Sequence, residues 1–360
     1  MKHTLIVSLT WITVLYILTV FLPQNFFSDY TYEKDVISRD HPIFLWHLAN
    51  FDGAHYQNIA GLSYITGFQT AFFPLYPLVT SIISRLLCNH LISSLFISFV
   101  STLISAIIVF RLSRRLSAVI LTLAFPTAFF LIAGYTESFF LALSLSAYYA
   151  TRQKHYLSAG VVGLLAAATR FYGLLLLPTL LITALFGLPR SKRKCLSTFV
   201  PLLPLFLIPL GLFAYMYYLN VHFHDPIKFF HALDLWQKSK TTFPLITLYR
   251  YAKIFILVSP SLFQYKIALL EFAFFMLGLA GAVYSARHRL YDSAFYLLVA
   301  TIIPACTGTL QSVPRYLLVV FPLLFVEAKF SPPVYRFFVI FGFILQLVLF
   351  YYFLSANFIA

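Results

Sequence analysis

A chain of 360 residues with 61% hydrophobic and only 10% charged side chains has too little polar surface to cover a soluble fold of its size. Its formal charge of +14 gathers into no basic domain, because Lys and Arg stand in short clusters between apolar blocks; this excludes a dedicated nucleic-acid-binding face. Three widely spaced cysteines, Cys88, Cys195 and Cys306, supply neither a disulfide framework nor a metal-ligand spacing.

The apolar residues recur in blocks of the length that crosses roughly 30 Å of hydrocarbon as helix, and backbone in lipid must satisfy itself, so helices are expected rather than strands. In chain order the expected spans are 4–22, 91–110, 118–134, 137–150, 157–169, 171–188, 196–219, 267–285, 293–309, 316–328 and 337–355. Residues 5–22 are followed by Pro23-Gln24-Asn25-Phe26, which offers no small-residue cleavage site, so they read as a retained span rather than a removed signal. Two further apolar stretches, 71–87 and 249–265, carry prolines and flanking cations, as surface-lying or re-entrant helices do; if both cross, eleven spans become thirteen.

The connectors at 111–115, 151–154, 190–194, 287–289 and 329–336, with Lys2, hold more than half of the 25 Lys and Arg residues, which places them and the N-terminus in the cytoplasm. The opposing side then receives two long segments, 23–90 and 220–266. Five of the eleven carboxylates, Asp29, Glu33, Asp35, Asp40 and Asp52, fall in the first, Asp225 and Asp234 fall in the second, and Glu137 sits in a small turn on the same side. A polar active site is therefore expected to open outward. With no internal repeat, linker or low-complexity tract, residues 1–360 read as one all-α, polytopic membrane domain in the cell membrane.

The most informative stretch runs from Trp46 through Asn50-Phe51-Asp52-Gly53-Ala54-His55-Tyr56 to Gly61 and Tyr64, followed by Ala71-Phe72-Phe73-Pro74-Leu75-Tyr76-Pro77. Asp-Gly marks a turn, and a helix beginning there puts Tyr56, Ile59 and Ala60 on one face. Asp52 at that helix start is either an N-cap or a general base at the membrane surface. Arg170 and Arg315 close external span ends, where they either snorkel to the headgroups or grip a phosphate with their planar donor forks. Glu137 either complements the dipole of the helix it opens or holds sugar hydroxyls. Asp225 follows His222 and His224; Asp225-Pro226 reads as a turn, and the three polar groups cannot all face one ion from a regular helix, so no metal site is expected here; no cofactor is expected, and a divalent cation stays open without support from the sequence. Glu271 lies inside a span and requires a partner or a polar cavity. Phe229, Phe230 and Trp236 suit a sugar-stacking or a lipid-facing wall.

Taken in order, Asp52-Gly53 with Tyr56, Ile59, Gly61 and Tyr64, the Ala71 to Pro77 run, Tyr135-Thr136-Glu137-Ser138, Ala168-Thr169-Arg170 with Gly173, His224-Asp225-Pro226 with Phe229 and Trp236, and Pro314-Arg315-Tyr316 resemble the phosphatidylinositol-glycan class V family. That family contains the second mannosyltransferase of GPI-anchor assembly and shorter prokaryotic relatives, and belongs to the GT-C membrane glycosyltransferases. The likeness covers about residues 46–322. One departure is Phe51, where the family usually carries Trp before its key Asp; the aromatic wall is kept and the indole N–H is lost.

The resemblance implies an inverting transfer of mannose or a related hexose from a polyprenyl-phosphate carrier to an external glycan or lipid hydroxyl. Asp52 would be the base and Arg315, Arg170, Glu137, Asp225, His55, Tyr56 and Trp236 the substrate-binding set. The rival readings are a lipid-linked glycan transporter, which predicts an internal repeat, and a non-catalytic membrane subunit.

Overall fold

The computed structural model describes residues 1–22, 43–188, 199–236 and 242–359, and among these every regular element is helical. Asp29, Glu33, Asp35, Asp40 and the 190–194 cluster lie outside the described residues. Five helices are long and apolar enough to cross a membrane: Lys2–Phe21, His90–Ser113, Val200–Phe223, Phe263–Arg287 and Pro332–Leu354. The described chain forms two compact units, residues 1–65, 75–142 and 329–359 in one and residues 66–74 and 143–328 in the other.

In the first unit, the expected continuous span over 118–134 is interrupted. Helix Leu116–Leu123 stops ahead of Pro126, whose missing N–H and ring end the ladder, and a short 3-10 turn, Ala128–Leu131, follows. Side chains from neighbouring helices take up the carbonyls so freed. Gln346 donates to Leu123 O and Phe125 O, both at 3.0 Å, and accepts from Trp11 Nε1 at 3.2 Å. Thr102 donates to Leu131 O at 2.7 Å, Ser98 to Ala133 O at 2.6 Å and Tyr16 to Ile132 O at 3.3 Å. Irregular backbone is tolerated at membrane depth only where protein satisfies it in this way. Gly342 is what lets helix Pro332–Leu354 come so near, since a Cβ there would strike Ala124 O.

The second unit is held by close helix approach. Helix Tyr156–Thr169 lies against the Val200–Phe223 run, in which a 3-10 stretch (Val200–Leu207, around Pro204) leads into Leu210–Phe223. A Cβ on Gly160 would collide with Pro204 O and one on Gly211 with Leu164 O, so small residues set the separation, as in membrane helix pairs generally. Gly211→Ala is therefore expected to destabilise the folded protein by about 1–3 kcal/mol through overpacking. Thermal unfolding in detergent reads this, with Gly61→Ala as the comparison because a Cβ there would meet its nearest atom at an ordinary contact distance, 3.5 Å.

The two proline-bearing stretches form short helices. Leu75–Leu87 has 13 residues, which is roughly 20 Å of rise, and Pro244–Leu257 ends before Ser259-Pro260, with residues 263–265 already part of helix Phe263–Arg287. The 316–328 stretch divides likewise into Val313–Leu318 and Phe321–Glu327, the second starting with Pro322 in its first turn.

Candidate functional site

The Asp-Gly segment lies in the first unit. A helix begins here as expected, but Asp52 is not its cap: Phe51 holds that position and Asp52 is the first residue of helix Asp52–Leu62. Phe51 adopts φ 58° and ψ −118°, a region that favours glycine and costs a residue with a Cβ about 1–3 kcal/mol. Its ring is pinned by Phe353 at 6.2 Å and, edge-on, Phe358 at 5.4 Å, which holds the strained peptide immediately ahead of Asp52. The Asp52 side chain is half-buried, at the positive end of its helix.

This helix is docked on the turn that carries Glu137. A Cβ on Gly53 would meet Tyr135 Cε2 at 3.2 Å and Gly134 O at 3.4 Å, so glycine permits the contact. Tyr135 donates from its hydroxyl to Asn50 O, Gly134 N–H donates to Leu48 O at 2.9 Å, and Tyr56 shares a hydrogen bond with Thr136 at 3.4 Å. Asn50 donates in turn to Phe353 O at 3.3 Å. Two sequence motifs about 80 residues apart thus form one structure, with Asp52 and Glu137 each opening a helix. Glu137 is 1% exposed and acts electrostatically on Tyr76, whose ring stands edge-on to Tyr56 at 5.2 Å.

His55 is 1% exposed, and burial pulls its pKa down to about 4 against the opposing pull of the Asp52 charge, so it is neutral at pH 7. The unfolded chain takes up this proton below about pH 6.5 and the folded chain only below about 4, so stability falls as pH drops through that window, by about 3 kcal/mol at full effect. Melting temperatures between pH 7.5 and 4.5 are expected to fall less steeply for His55→Asn than for the unaltered protein; parallel curves would contradict this.

In the second unit, Arg170 and the Pro314-Arg315-Tyr316 motif come together. The Arg170 guanidinium lies over the Tyr316 ring, 5.6 Å from its centroid, and the Tyr172 ring packs on Tyr316 at 5.0 Å. Gly173 permits the sharp turn after Arg170, because a Cβ there would strike Ala167 N. Arg315 is 6% exposed in helix Val313–Leu318, which starts after Ser312 in the left-handed conformation, φ 69°. Surface snorkelling does not describe a guanidinium buried this deeply.

Helix Pro244–Leu257 fixes the chain ahead of Arg315. Thr247 donates to Ala305 O at 2.6 Å, Arg250 to Gly308 O at 3.0 Å, and Tyr251 accepts from Leu310 N–H at 3.0 Å while donating to Glu271. That last bond supplies the partner that the Glu271 carboxylate needs inside its helix.

The Asp225 carboxylate holds a local turn. One oxygen accepts from Ile227 N–H at 3.1 Å and the other from His231 Nδ1 at 2.7 Å, and the His231 bond holds the carboxyl below its usual pKa range. His222 turns back to Tyr218 O at 2.9 Å, and no group of three His, Cys, Asp or Glu able to hold a metal occurs among the described residues. Phe229 joins Phe73, at 5.6 Å, and Tyr215, at 6.3 Å, in an aromatic wall, whereas Phe230 is exposed. Trp236 ends the 3-10 helix Ala232–Trp236, and its side chain falls outside the described residues.

Sequence reasoning missed Tyr296. It is buried near Arg170, and its hydroxyl has no hydrogen-bond partner among the described residues. A tyrosine within an otherwise apolar span was the available signal.

No family model, curated protein or solved structure matches this chain.

Proposed function

We propose that this chain is an inverting GT-C-type hexosyltransferase, most specifically a mannosyltransferase, which uses a polyprenyl-phosphate sugar and an external glycan or glycolipid hydroxyl. The observation that carries the proposal is the docking of the strained Phe51-Asp52-Gly53 start on the Tyr135-Thr136-Glu137 turn, through the Gly53–Tyr135 contact and the Tyr56–Thr136 bond. A carboxylate presented at a helix start can take the acceptor hydroxyl proton as the oxygen attacks the anomeric carbon. The glycosidic C–O bond to phosphate breaks in the same displacement, and the lipid phosphate leaves with the bonding pair. Positive charge must meet that leaving group, which is the role assigned to Arg315 and Arg170. Glu137 suits sugar hydroxyls. A neutral His55 and Tyr56 line the Asp52 helix, and Asp225 and Trp236 complete the substrate-binding set from the second external segment.

The reading includes the topology of eleven crossings, with stretches 71–87 and 249–265 at the surface and the basic connectors and N-terminus inside. Single cysteines introduced into a cysteine-free chain test it. An impermeant reagent applied to intact cells is expected to label position 64 and to spare position 192, and the reverse pattern would overturn the orientation. Activity is tested by incubating the purified chain with polyprenyl-phosphate-mannose labelled in the sugar and a membrane extract as acceptor source; a labelled product dependent on the chain is the expected result.

A further inference from the structure

A polar cavity lined by none of the residues assigned to hexose transfer lies within the second unit. It encloses about 400 Å³ among the ends of several helices, and Arg152, Lys154, Arg289, Asp292, Glu327 and the Phe186 and Tyr291 rings line it. Its acidic groups are already engaged. Glu327 pairs with Arg152 at 2.7 Å. Asp292 accepts from Tyr148 and Thr183, each at 3.0 Å, and from Ser293 N–H at 2.8 Å. Lys154 and Arg289 are left as two exposed cations without a carboxylate partner among the described residues.

Both sit at left-handed backbone positions, φ 63° and 60°, just past the ends of helices Glu137–Arg152 and Phe263–Arg287. Glycine is the less strained residue in such a turn. The helix dipole accounts for a cation at each C-terminus, but not for two that converge on one cavity.

We propose that this cavity is a binding site for the phosphate ester of an anionic phospholipid headgroup. Arg289 offers a planar donor fork and Lys154 a compact charge, a combination suited to phosphodiester oxygens. The Phe186 and Tyr291 rings, 4.9 Å apart, give the glycerol backbone an apolar wall. The location argues for a lipid over a soluble phosphate, because Arg287 closes a helix of membrane-crossing length and Arg289 follows two residues later, where the end of such a span would meet headgroups.

Native mass spectrometry of the full chain, delipidated in mild detergent, tests this with phosphatidylglycerol, phosphatidylcholine or glycerol 3-phosphate added in separate arms. The expected result is retention of phosphatidylglycerol over phosphatidylcholine, weakened about tenfold or more in Lys154→Ala/Arg289→Ala. The melting temperature of the lipid-free variant checks its fold. If that falls, Lys154→Gln alone replaces it, with about a threefold loss expected. Equal phosphatidylglycerol retention by a folded variant, equal retention of phosphatidylcholine, or binding of glycerol 3-phosphate with no lipid retained would each overturn the proposal.

Discussion

Replacing Asp52 with Asn is expected to reduce hexose transfer about 10²- to 10⁴-fold, which corresponds to roughly 3–5 kcal/mol of barrier, while donor binding and the melting temperature change little. The amide keeps the size of the side chain and removes its ability to accept the hydroxyl proton. A solely structural role predicts another outcome. Asp52 opens helix Asp52–Leu62 and complements its dipole, an interaction worth about 0.3–1 kcal/mol of stability, and losing it would lower melting slightly and leave turnover intact. Rate and stability therefore separate the two roles. Transfer by Asp52→Asn within about threefold of the unaltered chain would remove Asp52 from the mechanism.

The second large effect is expected at Arg315. Arg315→Lys keeps the charge but loses the fork, and where two parallel N–H bonds hold a phosphate the change should cost about 1.5–3 kcal/mol, or roughly 10- to 100-fold in transfer. Donor binding should weaken in parallel. Arg170 is less buried and lies over the Tyr316 ring, a contact that a Lys ammonium also makes, so Arg170→Lys should lose several-fold less. Equal and mild losses at both positions would return them to packing roles.

The helical segments were legible because apolar blocks and prolines are local signals. Pro126 and Pro260 mark the helix ends in the sequence, although the span drawn over 118–134 ran through the first of them. The local strain at the site was less legible. A helix start at Asp-Gly was readable, but the cap fell one residue earlier, on Phe51, because tertiary packing from Phe353 and Phe358 holds that residue in a conformation no local rule assigns to Phe. The meeting of Gly53 with Tyr135, and of Arg170 with Tyr316, joins residues 82 and 146 positions apart, and no periodicity reports such separations. The Asp225 group was legible as a turn from Asp-Pro, while its His231 partner six residues later was not.

The choice of donor tests the central claim most directly. Purified chain should be offered polyprenyl-phosphate-mannose and, in a parallel arm, a nucleotide-activated mannose, each labelled in the sugar and each with the same membrane extract as acceptor source. The predicted result is labelled product and stoichiometric release of polyprenyl phosphate in the first arm only, with both signals lost in Asp52→Asn. Labelled product from the nucleotide donor alone, or no product in either arm from folded protein, would contradict the account.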